Sequence, residues 1–156
     1  MRHGLYPWLA AIANRWNPQL GIDEAYPSDL QAFLRRCHEA GQTRPTPLIL
    51  RYGEGDYNCL HQDLYGEHVF PLQVAILLSE PGRDFVGGEF VMTEHSANGR
   101  RAEVVALGQG DALVFTVNQR PANGKRGTRK VAMRHGVSRI RGGLRHTLGL
   151  IFHDAR

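Results

Sequence analysis

The sequence predicts an α+β chain, mostly β: a jelly roll or barrel with two N-terminal helices packed outside it. Three observations carry that expectation. The 156 residues include 18 glycines, which favours a fold with many turns over a helical bundle. From about residue 48 onward the chain breaks into short apolar runs divided by turn signals. The first forty residues instead place apolar side chains at helical spacing. The length suits one domain with one core. The expected division is helical support over 1–46 and a jelly-roll core over 47–156.

The elements follow in order. "MRHGLYPWLAAIAN" has a basic start, a short apolar run and an Ala11-Ile12-Ala13 that imitates a leader-cleavage site. Pro7 interrupts the run, and Leu5, Trp8, Leu9, Ile12 and Trp16 share one helical face, so an amphipathic helix is expected rather than a leader. Ser28 followed by Gln31 suggests a capping box. Leu30, Phe33, Leu34 and Cys37 would be the buried face of a second helix, and Gly41 its stop. "GQTRPTP" is a proline-bearing connector. Eight strands are expected near Leu48–Tyr52, Tyr57–Asp63, Leu72–Leu78, Glu89–Glu94, Ala102–Leu107, Ala112–Val117, Arg129–Arg134 and Arg145–Phe152. Gly53-Glu54-Gly55-Asp56, Pro81-Gly82-Arg83-Asp84 and Asn123-Gly124 are the turn signals between them. Gly87-Gly88 reads as a bend at a strand entry.

Composition narrows the function classes. No apolar run approaches the roughly 20 residues that span a bilayer. Cys37 and Cys59 form neither a disulfide framework nor a Cys-x-x-Cys pair, which fits a reducing, cytoplasmic setting. The net charge of +4 hides an asymmetry. Nine Lys or Arg residues and no acid lie between Ala112 and His153: Arg120, Lys125, Arg126, Arg129, Lys130, Arg134, Arg139, Arg141 and Arg145. The remainder carries ten basic and fifteen acidic residues. Such a segment on an otherwise acidic chain suggests an anionic partner.

"NCLHQDLYGEHVF" places His61 and Asp63 two residues apart, on one side of a strand or just off its end. A turn residue beside a surface histidine would explain the pair equally well. His135 on a late strand changes the balance. Two histidines and one carboxylate on one face are the facial triad that holds non-haem Fe(II) and leaves positions open. Arg145 follows ten residues later; a strand, a turn at Gly142-Gly143 and a return strand would bring its guanidinium back to pair with a carboxylate. Thr147 would share its face, and His146 would point away. His68, His95 and His153 read as surface or packing histidines. Arg139 and Arg141 suit either phosphate contact or solvation.

Four motifs, in order, resemble the 2-oxoglutarate and Fe(II)-dependent dioxygenases, particularly their prolyl-hydroxylase-like branch. They are "RYGEGDYNCLHQD", "LLSEPGRDFVGGEFVM", "GDALVF" and "RHGVSRIRGGLRHTLGLIF". They cover about two-thirds of the chain. The resemblance implies a double-stranded β-helix over a single dioxygenase domain spanning 1–156. It also implies Fe(II) on His61, Asp63 and His135, with 2-oxoglutarate held by Arg145, Tyr52 and Thr147, and O2 as oxidant. More closely, "RPTPLILRYG", "GDYNCLHQDLYGEHVFPLQV" and "GLRHTLGLIFHD" resemble a bacterial oxygenase family described as oxidatively demethylating damaged DNA. Members of that family usually carry a further N-terminal segment, so a shortened product is expected. "RIRGGLRHT" departs from the Arg-x-Asn-x-Thr-x-Arg run of AlkB-type demethylases. The expected reaction is oxidative demethylation of alkylated nucleic-acid bases, with single-stranded or damaged nucleic acid drawn by the basic segment 120–145. Two alternatives stand beside it: hydroxylation of a peptide or protein side chain, and a metal-stabilised nucleic-acid-binding module without catalysis.

Overall fold

The computed structural model describes residues 1–97, 99–124 and 127–156. Two helices precede a set of antiparallel strands, as expected. Helix α1 spans Arg2–Gln19 and accommodates Pro7 in its second turn and Pro18 in its last. Its buried face differs from the expected one. Tyr6, Leu9, Ala10 and Ala13 face inward, whereas Trp8 is 76% exposed. The small Ala10 and Ala13 let the helix sit close to the sheet, and Tyr6 anchors it, with its ring centroid 4.9 Å from Phe70 and 6.0 Å from Phe33 and Phe152. Leu5, Ile12 and Trp16 flank that face.

Helix α2 spans Leu30–Glu39 and buries Leu30, Phe33, Leu34 and Cys37, as the spacing required. Its cap is Asp29 rather than Ser28. The Asp29 carboxylate accepts the Ala32 N–H at 2.9 Å, which satisfies one of the unpaired donors of the first turn.

Among the described residues eleven strands follow: β1 (Leu48–Tyr52), β2 (Asn58–His61), β3 (Leu72–Leu77), β4 (Phe85–Gly87), β5 (Phe90–Ser96), β6 (Gly99–Val105), β7 (Ala112–Thr116), β8 (Gln119–Gly124), β9 (Gly127–Val137), β10 (Ile140–Gly143) and β11 (Arg145–Leu150). One sheet has the order β1-β11-β3-β7, and the other β2-β9-β5-β6, with β8 also pairing β9. A small β10-β4 pair closes one end. Side chains of both larger sheets line one cavity, including Leu50, Ala75 and Phe115 from the first and Phe90, His135 and Val137 from the second. This is a jelly roll.

Strand β3 shows how the layers form. Leu72 and Val74, with the partly buried Ile76, pack against the helical cluster. Ala75 and Leu77 belong to the interior clusters. Both faces are covered, so the strand reads as a nearly continuous apolar run. Gln73 is its inward polar exception.

The sequence overlooked β4, β8 and β10. β4 and β10 are three or four residues long and glycine-bearing, and β8 contains Pro121 and ends in Asn123-Gly124. Gly142-Gly143 lies within β10 rather than forming a turn. At Gly143 φ is +81°, and a Cβ would stand 2.1 Å from the Asp84 carbonyl oxygen. Asn123-Gly124, expected as a turn, instead ends strand β8, where both residues pair with β9; residues 125 and 126 lie outside the described ones. Among the described residues, no helix is long and apolar enough to cross a membrane.

Candidate metal centre

His61 is the last residue of β2 and stands opposite His135 in the β2–β9 register. Asp63 lies beyond the end of β2, so strand alternation alone does not place it. The chain turns after His61, and the Gln62 side chain fixes that turn by donating to the carbonyls of Met133 and Asn118 at 2.8 and 3.2 Å. The outcome is a cluster in which one ligand atom from each of His61, Asp63 and His135 lies within 4.8 Å of the others. His61 Nε2 is 3.3 Å from Asp63 Oδ1, and His135 Nε2 is 3.3 Å from Asp63 Oδ2.

The surroundings orient these groups. His61 Nδ1 lies 2.7 Å from the Cys59 carbonyl oxygen. A carbonyl can only accept, so Nδ1 carries the proton and Nε2 is the nitrogen that faces the carboxylate. His135 is wedged among Phe90 and Phe115, with centroid distances of 5.9 and 4.6 Å. Asp63 is buried. Burial alone would raise its pKa. Hydrogen bonds with His135, His61, Tyr65 and Gln73 outweigh that and hold the carboxyl well below its ordinary range. The hydrogen bond with Asp63 in turn raises the His61 pKa. A negative charge that draws a proton to this spot also draws a cation.

Tyr65 and Gln73 were missed by the sequence reading. The Tyr65 hydroxyl donates to Asp63 Oδ1 at 2.6 Å, and the Gln73 amide donates to Oδ2 at 2.8 Å. The same Gln73 nitrogen is 3.2 Å from His135 Nε2. A lone glutamine inside "PLQVAILL" was the available signal.

Arg145 opens β11 and is 2% exposed, the largest fully buried side chain of the described residues. It donates to the Thr147 hydroxyl. Its Cζ lies 5.6 Å from the centre of the Tyr52 ring and 5.8 Å from that of Phe85. Its Nε has no partner, and among the described residues no carboxylate lies within 4 Å of it. Burial lowers its pKa. Tyr52, Thr147 and Arg145 line the same cavity of about 140 Å³ as His61, Asp63 and His135. The structure therefore brings all six of these residues to one cavity. His146 does not line this cavity; its ring Nδ1 lies 3.5 Å from the Ser79 hydroxyl. Gly88, at φ +63°, lies against this arginine: a Cβ there would meet Ile140 Cδ1 at 2.3 Å and Arg145 Cδ at 2.9 Å.

The donor set fits a divalent transition metal. His61, Asp63 and His135 would hold it through two imidazole nitrogens and a carboxylate oxygen, a combination that suits Fe(II).

The basic segment does not form one patch at the cavity mouth. Arg120 is paired with Glu94 and Arg141 with Glu89. Arg129 donates to Ser96, and Arg139 lies over Tyr57. Arg134 neighbours His135 on β9, so alternation turns it to the opposite face of the sheet. Lys125 and Arg126 lie outside the described residues.

Fold and site together define a jelly-roll protein with a two-histidine, one-carboxylate centre beside a buried arginine. The chain belongs to the family described as "Oxygenase, catalysing oxidative methylation of damaged DNA", whose model matches residues 1–155. It is similar to two uncharacterized Mycobacterium tuberculosis proteins, MT2286 of strain CDC 1551 / Oshkosh and Rv2227 of strain H37Rv. It is 49% identical to each over 156 residues, covering 99% of this chain and 67% of each relative. Among solved structures it is similar to an oxidoreductase of the 2OG-Fe(II) oxygenase family from Burkholderia pseudomallei. That likeness has a TM-score of 0.49 and 25% identity, over 72% of this chain. The chain spans about half of that protein, 48%.

Proposed function

We propose that this oxygenase depends on Fe(II) and 2-oxoglutarate and removes N-methyl groups from nucleic-acid bases by oxidation. The observation that carries the co-substrate is Arg145. A cation buried without a counter-charge costs several kcal/mol, and this one lines the cavity that holds His61, Asp63 and His135. A dicarboxylate spanning the cavity would meet the metal with one end and Arg145 with the other.

In this reading His61, Asp63 and His135 hold the iron, and Tyr65 and Gln73 keep the Asp63 carboxylate turned toward it. Arg145 and Thr147 bind the distal carboxylate, and Tyr52 contributes its hydroxyl to the same end. Phe90, Phe115 and Val137 give the cavity an apolar wall that limits water. When bound, Fe(II), 2-oxoglutarate and O2 together supply an oxidant for a substrate C–H bond, and 2-oxoglutarate leaves as succinate and carbon dioxide. The family description speaks of oxidative methylation. Inserting oxygen into an N-methyl C–H bond gives a hemiaminal that releases formaldehyde, so we read the reaction as demethylation. A base must leave its stack to reach a buried centre, which favours single strands. The free thiols of Cys37 and Cys59 accord with a reducing compartment.

The test is turnover across a panel of methylated oligonucleotides and peptides. Formaldehyde released in step with succinate on a methylated oligonucleotide is the expected result. Oxidation confined to peptides would replace the substrate with a protein side chain and leave the chemistry in place.

A further inference from the structure

The outward face of the sheet β2-β9-β5-β6 carries a groove of about 580 Å³. The strand registers show how it is built. One row places Arg134 of β9 opposite Thr93 of β5, and Thr93 opposite Ala102 of β6. The next row places Ala132 opposite His95, and His95 opposite Arg100. Residues directly opposite in an antiparallel sheet share a face. Thr93, Ala102 and Ala132 thus form a low floor with the exposed His95 standing among them, and Arg134 and Arg100 rise from opposite sides. Lys130 lies two residues beyond Ala132 on β9 and continues the same face.

Arg100, Lys130 and Arg134 are exposed and join no ion pair among the described residues. Glu94 borders the groove but is engaged by Arg120, and Arg101 is engaged by Glu103. Elsewhere Arg83, Arg120 and Arg141 meet acids, whereas Arg15 and Arg35 on the helices, like Arg100, Lys130 and Arg134, join no ion pair among the described residues; the groove differs in gathering its cations around one recess. Leaving three cations unpaired on one face points to an anion supplied from outside. Strand geometry separates Arg134 from Lys130 by about 13 Å along β9 and Arg134 from Arg100 by about 10 Å across the strands. That spread suits a polymer of charges rather than one small anion. A recess floored by Thr93, Ala102 and Ala132, with the His95 imidazole beside them, suits a narrow strand better than a flat lipid surface.

We propose that this groove binds the sugar–phosphate backbone of a nucleic-acid strand. It lies behind the metal centre, because Arg134 is the immediate neighbour of His135 and faces the other way. The groove holds the polymer without presenting a base to the metal, and so acts as a second, sequence-independent contact. The inference rests on the reading that the substrate is a nucleic acid.

The test compares three proteins for binding a labelled single-stranded DNA oligonucleotide over a range of salt concentrations. They are the wild type, Arg100→Gln/Arg134→Gln, and Arg15→Gln/Arg35→Gln, a control that removes the same charge from the exposed helix surface. Each neutralised phosphate contributes about 0.7 to the log–log salt slope on single strands. The groove variant should lose about 1.4 from that slope, and the control should match the wild type. Fe(II) binding and uncoupled succinate formation should be unchanged in both variants. Equal losses in groove variant and control would reduce the effect to net charge and overturn the groove. A wild type that binds while the groove variant keeps its slope would overturn the groove and leave the nucleic-acid reading standing. No binding by the wild type at low salt would overturn both. Binding to anionic lipid vesicles but not to DNA would overturn the groove's assignment to a nucleic-acid strand.

Discussion

Replacing Arg145 with Met keeps an unbranched, flexible stem and removes the charged guanidinium. Arg145 of the wild type is 2% exposed, and its guanidinium leans on Tyr52 and Phe85 and has, among the described residues, only the Thr147 hydroxyl as a polar partner. If the distal carboxylate of 2-oxoglutarate pairs with it, the variant loses a charge-assisted contact worth about 1.5–3 kcal/mol. That corresponds to roughly tenfold to two-hundredfold weaker binding. The second consequence has the opposite sign. The ligand-free wild type carries an unpaired buried charge, and an apolar replacement removes that cost. The ligand-free variant should therefore melt no lower than the wild type. The assay is calorimetric titration of 2-oxoglutarate into Mn(II)-loaded protein without oxygen, beside a melting curve of each ligand-free protein. Unchanged affinity would refute the reasoning and transfer the role to another cation. Arg141 is already paired with Glu89, and Arg139 lies over Tyr57.

Four further outcomes are expected. His61→Ala or Asp63→Ala should nearly abolish Fe(II) binding in an anaerobic titration, since each would remove one of the three proposed protein ligands; wild-type affinity in either would undo the assignment. Gln73→Leu should weaken Fe(II) binding by about 10–100-fold through loss of the hydrogen bond to Asp63, measured in the same titration. Gly88→Ala should lose about 1–3 kcal/mol from overpacking against Ile140 and Arg145, with a fall in melting temperature of about 2–4 °C per kcal/mol and weaker 2-oxoglutarate binding. His153 is fully buried and desolvation lowers its pKa to about 4. A depressed histidine pKa stabilises the fold above the unfolded value, near 6.5, and that stability is lost as pH falls toward 4. The loss should reach about 3 kcal/mol, and His153→Asn, which keeps an acceptor for the Phe70 N–H, should show a flatter melting profile between those pH values.

The sequence disclosed what depends on local pattern. Helix α2 announced its buried face through Leu30, Phe33, Leu34 and Cys37, and β1 was bounded to the residue. That His61, Asp63, His135 and Arg145 gather at one cavity was legible because their order along the chain is distinctive. What escaped depends on three-dimensional context. Trp8 looked like the centre of a buried face, yet the sheet accepts only the flatter side of α1 that carries Ala10 and Ala13. Gln73 and Tyr65 act on Asp63 from another strand and from a loop, and no spacing rule links them. The basic segment read as one patch because sequence does not show that Arg120 and Arg141 meet acids from elsewhere. Nor did it show that Arg134 joins Arg100, thirty-four residues earlier, on the far face of a sheet.

The central claim is that the centre formed by His61, Asp63 and His135 turns over 2-oxoglutarate. Its most direct test is succinate formation from 2-oxoglutarate in the absence of any substrate, for wild type and for Asp63→Ala, with and without added Fe(II). The wild type should form succinate only with Fe(II) and O2, and Asp63→Ala should form none above background. Succinate that needs no Fe(II), or equal turnover by Asp63→Ala, would contradict the account.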